Sequence, residues 1–205
     1  MKSIFGNATL LSVLTILSRF LGLARDIMFF SAFGTSFYGE AFILAFTLPN
    51  LFRRMLGEGA LSSAFIPIYT QTLQSESIKS AFSLLSKVLS RLMIFLLALS
   101  ILVSCISYFL LGSPGLLSDK WSFAANLNSI SFPYVALICC AAIAIGALNG
   151  HRSFFAGGFS PIILNLSMIT TLAIWGFFIP SKTPSFLAFA LCFSVLIAGI
   201  VQFLI

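Results

Sequence analysis

Long apolar runs dominate the second half of the chain. Four of them contain no charged residue, and each exceeds the roughly 20 residues that a helix needs to cross a bilayer. These runs are Leu92–Ser118, Trp121–Gly150, Ser153–Ser181 and Thr183–Ile205. Turn-forming clusters separate them, the first being Gly112-Ser113-Pro114-Gly115. The pattern therefore predicts four membrane-spanning helices.

The first 90 residues have shorter apolar runs, which charged residues interrupt. Two long helices fit this pattern, with a break around Gly34-Thr35-Ser36-Phe37 and kinks in the second helix at Pro49 and at the pair Gly57 and Gly59. The sequence thus predicts an all-α, polytopic membrane protein with six spans. The predicted spans are 5–33, 38–72, 80–111, 123–149, 156–179 and 184–205.

Composition narrows the function classes. The chain is 60% hydrophobic and 8% charged, whereas a soluble domain has about 25% charged residues. This composition excludes a water-soluble enzyme and a nucleic-acid-binding domain. There is no P-loop and no HExxH motif, so we expect no cofactor and no catalytic or metal-binding residues. Four cysteines in apolar stretches are expected to be packing residues: Cys105, Cys139, Cys140 and Cys192.

Basic residues favour one orientation of the six spans. Loops on the cytoplasmic side carry an excess of Lys and Arg. With the N-terminus in the cytoplasm, the inner segments carry Lys2, Lys79, Lys87, Arg91 and Arg152. The outer segments then carry Asp119, Lys120 and Lys182. We predict a cytoplasmic N-terminus, and we expect the single histidine, His151, to be solvated in an inner loop.

Charged residues concentrate in the first two predicted spans. Seven of the 16 charged residues lie between positions 19 and 58: Arg19, Arg25, Asp26, Glu40, Arg53, Arg54 and Glu58. A charge that faces lipid near the bilayer centre costs about 2.5–3.5 kcal/mol on insertion scales. These side chains should therefore face a bundle interior or a water-filled cavity. Four arginines against three acids would make that cavity cationic.

Helical spacing refines the arrangement of these charges. Arg19 and Asp26 lie seven residues apart and share a helix face. Arg54 and Glu58 have the i,i+4 spacing of an ion pair. Arg53 has no acidic residue three or four positions away, which leaves its side chain for a ligand or another helix. The alternative is that these charges only form internal ion pairs or extend to the membrane surface.

Several motifs resemble those of one membrane protein family, the MurJ (MviN) lipid II flippases. They are Ser18–Asp26 (SRFLGLARD), Leu48–Arg54 (LPNLFRR), Gly57–Pro67 (GEGALSSAFIP), Phe132-Pro133-Tyr134, Gly146-Ala147-Leu148-Asn149 and Ser160–Asn165 (SPIILN). The resemblance is specific over the first 70 residues, extends to about residue 170 and is weak over the last span.

The resemblance implies an architecture and a cargo. Its superfamily, the multidrug/oligosaccharidyl-lipid/polysaccharide exporters, has two six-helix lobes around a central cavity, and this family has two further helices. This chain would be the first lobe, without the second lobe in cis. Its apolar end at Ile205 also suggests a fragment. The expected partners are membrane lipids and lipid II, the undecaprenyl-pyrophosphate-linked peptidoglycan precursor, in a bacterial inner membrane.

The same resemblance implies roles for individual residues. The pyrophosphate and sugar-peptide headgroup would be held by Arg19, Arg25 and Arg53, with Asp26 beside them. Glu40 stands where the family usually has Asp and would act in gating near the outer face. Arg54 and Glu58 would form ion pairs in the cavity. Arg suits a pyrophosphate because its guanidinium binds phosphate oxygens bidentately, and alternating access would expose the cavity to one side at a time.

Other functions remain compatible with the sequence. One alternative is a related exporter of the same superfamily with a different cargo, such as a polysaccharide-linked lipid or a drug. A membrane-embedded transferase would need clustered acids or a histidine at the membrane face, and no such cluster is visible. A scaffold that transports nothing would not need seven charges in two spans.

Overall fold

The computed structural model describes the backbone of residues 2–111, 113, 115, 117–178 and 183–205; the side chains of 2–8, 57–61, 110 and 178 are excluded. Over these residues the chain forms helices and no strand. The helices are α1 (Lys2–Phe33), α2 (Phe37–Phe52), α3 (Ala60–Ser75), α4 (Ile78–Cys105), α5 (Asp119–Ser131), α6 (Tyr134–Gly150), α7 (Phe155–Phe178) and α8 (Pro184–Leu204). Two π-helical segments, Arg53–Gly59 and Ile106–Leu111, continue α2 and α4.

The break between α1 and α2 lies where the sequence predicts it. Gly34 has a φ of 57° and its N–H donates to the carbonyl of Phe30 at 2.8 Å, so a left-handed glycine ends α1. Ser36 then caps α2, because its hydroxyl accepts a hydrogen bond from the N–H of Gly39 at 3.4 Å. Local chemistry alone therefore fixes this turn.

The second predicted helix is continuous but not uniform. Residues 37–75 run through α2, the first π-helical segment and α3 without a break. The π-helical segment contains Gly57 and Gly59, where the sequence predicts a kink. Pro49 lies inside α2, four residues before this segment. A π-helical segment is a known cause of helix distortion. At the glycines the structure therefore has a π-helical segment where the sequence predicts a kink.

The fourth predicted span differs from expectation. It is predicted as one helix over 123–149, whereas the structure has α5 and α6 with a bend of 45° between them. The helices meet at Phe132 and Pro133. Proline lacks an N–H and clashes with the preceding turn of a helix, which explains the bend. The signal for it was present in the sequence.

Length and composition distinguish the later helices from the first two predicted spans. Among the described residues, three helical stretches are long and apolar enough to cross a membrane: Ile78–Phe109, Phe155–Phe177 and Pro184–Leu204. The bent pair α5 and α6 would make a fourth. Within the described residues, neither α1 nor the stretch 37–75 is among these candidates. That all six segments span the membrane stays a prediction.

The packed core centres on α6 and α8. Tyr134, Val135 and Cys139 of α6 are fully buried, as are Leu191 and Val195 of α8. Helix α6 packs against α3, α4, α7 and α8, whereas α1 packs chiefly against α7 and touches α2 little. The fold therefore has a dense centre around α6 and α8, whereas α1 lies at an edge with α7 as its main neighbour.

Close packing in the core uses glycines. A Cβ on Gly146 would lie 3.0 Å from Ile66, and one on Gly150 would lie 3.3 Å from Thr70. The Gly146 and Gly150 pair, spaced as GxxxG, thus brings α6 close to α3, as such pairs do in membrane helices. Three of the four cysteines, Cys139, Cys140 and Cys192, are buried, and Cys105 is exposed.

Candidate functional site: a cationic cavity beside the first helix

A cavity of about 710 Å³ lies between α1, α2 and α7, with α6 and α8 also contributing side chains to its wall. It forms because α1 rests on α7 and leaves a gap toward α2. Four charged side chains line the cavity: Arg25, Asp26, Arg53 and Arg54. Three arginines against one aspartate give these groups a net charge of +2. The cavity therefore favours an anion.

Arg25 is held by two neighbouring side chains. Its Nε and Nη2 donate to Oδ1 of Asp26 at 3.0 and 2.7 Å, and its Nη1 donates to Oδ1 of Asn165 on α7 at 2.9 Å. The Arg25 side chain is 24% exposed and that of Asp26 is 54% exposed. The pair is open to the cavity, so the guanidinium keeps access to a bound anion while its orientation is fixed.

Arg53 and Arg54 approach the cavity from the other side. Both belong to the first π-helical segment, directly after α2. Arg53 is half-buried and Arg54 is exposed. Both arginines line the cavity on its α2 side. Arginine is well suited to such a site, since it stays charged and presents a rigid fork of donors.

Of the other predicted site residues, two lie away from the cavity's described lining and the side chain of the third is not described. Arg19 is exposed and is not among the described residues that line the cavity. Glu40 lies near the start of α2, where its Oε2 accepts from Nζ of Lys120 at 2.8 Å. The side chain of Glu58 falls outside the described residues, and with it the expected pair with Arg54. The functional roles assigned to all seven charged residues stay predictions.

Sequence reasoning missed the amides of the cavity. Asn50, Asn165 and Gln202 all line it, and Asn165 and Gln202 are 6% and 4% exposed. Gln202 donates from Nε2 to the carbonyl of Ser160 at 2.7 Å. Burying an amide among apolar side chains costs free energy unless the amide is hydrogen-bonded. The presence of amides in otherwise apolar segments was therefore the signal by which the sequence could have indicated these residues.

The histidine is exposed, as expected, but it is also held in place. Nε2 of His151 lies 2.9 Å from the hydroxyl of Tyr69, and the ring stacks on Phe82 with centroids 5.8 Å apart. These contacts tie the loop after α6 to α3 and α4. Among the described residues, no group of three His, Cys, Asp or Glu side chains could hold a metal ion.

Comparison with known proteins assigns this arrangement to a family. The sequence profile of the family described as Lipid II flippase MurJ matches residues 29–205. The chain belongs to the MurJ family. The match includes the last helix, where the motif resemblance is weak. The family's relatives are named as flippases, which are transporters and not enzymes.

Individual relatives agree over nearly the whole chain. A protein of Buchnera aphidicola named "Probable lipid II flippase MurJ" is 37% identical over 94% of this chain and 38% of its own length. The "Lipid II flippase MurJ" of Burkholderia cenocepacia is 35% identical over 99% of this chain and 39% of its own length. The chain thus spans about two fifths of the relatives that it matches.

A solved structure agrees with the fold. The structure titled "Lipid II flippase MurJ, inward closed conformation" superposes with a TM-score of 0.73 at 30% sequence identity, over 96% of this chain and 40% of that chain. The all-α membrane fold expected from the sequence is confirmed.

Proposed function

We propose that this chain is the N-terminal lobe of a flippase that moves lipid II across a bacterial inner membrane. The observation that carries the proposal is the convergence of Arg25, Asp26, Arg53 and Arg54 on one cavity. The relatives named as lipid II flippases supply the cargo class. A pyrophosphate is a delocalised anion that arginine forks bind bidentately, so it suits this cavity.

The cavity solves the physical problem of the reaction. A charged headgroup cannot cross hydrocarbon unaided, because ions lose their hydration there. In the proposed cycle the headgroup stays in the cationic cavity while the lipid tails remain in the bilayer. The lobe rocks against a second lobe, so that the cavity opens first to the cytoplasm and then to the outside. In this proposal Arg19 also contacts the headgroup, from outside the cavity's described lining, and Glu40 acts near the outer face.

Complementation by a chimera tests the proposal. The chain replaces the matching segment of the Burkholderia cenocepacia relative, and the chimera is expressed in a strain depleted of its own flippase. We expect growth with the wild-type chain and loss of growth with Arg25→Ala or Arg53→Ala at equal protein levels. The lysine variants keep the charge but lose the fork, and we expect them to grow poorly. Normal growth of the chimera with Arg19, Arg25 and Arg53 all replaced by Ala would refute the headgroup site.

Two further measurements test the lobe and its orientation. The 205-residue chain alone, in vesicles with labelled lipid II, is expected not to translocate it, because one lobe encloses no cavity that can alternate. Robust translocation by a monomer would overturn this point. A single cysteine at Lys120, in a variant without the native cysteines, should react with a membrane-impermeant reagent from outside. Labelling only from the cytoplasm would reverse the proposed orientation.

A further inference from the structure

Asn165 links the cavity's arginine to the backbone of another helix. It lies on α7 and is 6% exposed. Its Oδ1 accepts from Nη1 of Arg25 at 2.9 Å, and its Nδ2 donates to the carbonyl of Ser18 at 3.0 Å. Both partners belong to α1. One amide thus holds a side chain and a backbone carbonyl that lie about two turns apart on the same helix.

The resulting constraint on Arg25 has a definite geometry. A guanidinium carries five N–H donors in one plane. Asp26 engages Nε and Nη2, and Asn165 engages Nη1. With one donor used at each nitrogen, two N–H groups remain among the contacts of the described residues, one on each terminal nitrogen. These two N–H groups are the donors that Arg25 retains for phosphate oxygens.

The choice of an amide at position 165 also matters for charge. A carboxylate there would hold Arg25 in a similar way, but it would neutralise the guanidinium that Asp26 already faces. A neutral acceptor fixes the orientation and leaves the cavity cationic. The N–H end of the amide also satisfies the Ser18 carbonyl, which a carboxylate would repel. Helix α1 packs chiefly on α7, so this contact lies in the interface that positions α1.

We propose that Asn165 is a positioning residue that orients Arg25 for binding the oxygen atoms of the cargo's phosphate groups. The inference rests on the proposed function and adds a residue on α7 to the charged groups that α1 and the first π-helical segment contribute to the cavity. Asn165 acts through Arg25. Its effect on binding should therefore vanish when Arg25 is absent, whereas a purely structural role would persist.

Binding of fluorescent lipid II to the purified chimera tests this point. The variants are Asn165→Leu, Asn165→Asp, Arg25→Ala and the double variant Asn165→Leu/Arg25→Ala. We expect Asn165→Leu to weaken binding about tenfold, the loss of one charge-assisted hydrogen bond. Asn165→Asp, which is isosteric, should weaken it as well because it cancels positive charge. The double variant should bind no worse than Arg25→Ala alone.

Ser167→Ala is the matched control. Ser167 lies one half-turn further along α7, and its hydroxyl donates to the carbonyl of Ser194 on α8 at 2.7 Å. The variant removes an interhelical hydrogen bond of the same kind outside the cavity, so its binding should equal the wild type.

Additive losses in the double variant, or wild-type binding by both Asn165 variants, would overturn the positioning role alone. Wild-type binding by Arg25→Ala would instead overturn the proposed function. If Asn165→Leu fails to fold, Asn165→Ala takes its place in the same comparison with Arg25→Ala.

Discussion

Helices α1 and α6 are both long and apolar, yet they occupy opposite positions in the lobe. On α6, Tyr134, Val135 and Ile143 are fully buried, and the helix contacts most of its neighbours. On the described part of α1, only Leu14, Phe29 and Phe33 are buried. The charged residues Arg25 and Asp26 lie on this more exposed helix, beside the cavity. The difference separates a densely packed centre from the edge that carries the proposed headgroup site.

The comparison predicts different consequences for changes in the two regions. A change in the α6 and α8 centre should reduce stability first, because densely packed side chains cannot rearrange cheaply. A change at the α1 edge should reduce binding more than stability, because α1 has fewer contacts to lose and positions Arg25. Variants at glycines and at one ion pair can test this division.

The largest effect on stability is expected at Gly199 of α8. A Cβ there would lie 2.7 Å from Cδ2 of Tyr134, which is fully buried and cannot move aside. Overpacking of this kind costs about 1–3 kcal/mol, so Gly199→Ala should lower the free energy of unfolding by that amount and Gly199→Val by more. Thermal unfolding of the purified protein in detergent, followed by tryptophan fluorescence, measures the change.

Gly176→Ala is the control for this variant. It is also a helical glycine, on α7, but a Cβ there would meet nothing within 4 Å. Replacing glycine by alanine inside a helix is then favourable by about 0.5–1 kcal/mol. If Gly176→Ala and Gly199→Ala unfold at the same temperature, the supposed rigidity of the α6 and α8 centre is wrong.

An intermediate effect is expected at Gly158 of α7, where α1 rests. A Cβ there would lie 2.7 Å from Cδ1 and 3.0 Å from Cβ of Leu14. The end of Leu14 can rotate, but its Cβ moves only with the helix, so α1 must shift by a few tenths of an ångström. We expect Gly158→Ala to weaken lipid II binding by the chimera clearly while lowering the melting temperature less than Gly199→Ala does.

The neighbouring glycine supplies a control for the direction of this shift. A Cβ on Gly157 would lie 3.1 Å from Cγ2 of Ile145 on α6. Gly157→Ala therefore strains the contact with the centre and leaves α1 in place. It should cost stability with little change in binding. The reverse ranking of the two variants would mean that the position of α1 does not control the cavity.

Much of the fold could be predicted because its signals are local. The turn at Gly34 and Ser36 depends on residues within a few positions, and the sequence places it correctly. The cost of charge in lipid likewise identified Arg25 and Arg53 as residues needing a polar environment. The bend at Pro133 was also a local signal, but the apolar run around it suggested a single uninterrupted helix.

The rest depended on contacts between distant residues. Arg25 and Asn165 are 140 positions apart, and no pattern along the chain links them. The same holds for Glu40 and Lys120, which are 80 positions apart. Spacing indicated that Arg19 and Asp26 share a face, but it could not show that the cavity would include Asp26 and leave out Arg19. Tertiary packing of α1 against α7 decides that boundary.

The smallest effect is expected at the Glu40 and Lys120 ion pair. It joins α2 to α5, and its side chains are 50% and 39% exposed. Glu40 lies 13 residues before Arg53, roughly 20 Å along the helix at 1.5 Å per residue. Exposed ion pairs contribute about 0–1 kcal/mol and weaken as salt rises. Lys120→Ala should therefore shift the melting temperature slightly, and the shift should shrink in high salt.

This ion pair also tests how far the proposed headgroup site extends along α2. Because Lys120 lies on the α5 side of the pair and outside the cavity, Lys120→Ala should leave lipid II binding by the chimera unchanged. Glu40→Gln breaks the same ion pair, so the two variants should lose equal stability. If Glu40→Gln also reduces transport more than Lys120→Ala does, the additional loss is due to the Glu40 carboxylate itself. A loss of binding in Lys120→Ala as large as that in Arg25→Ala would contradict the division drawn above, because it would place the function at both ends of α2.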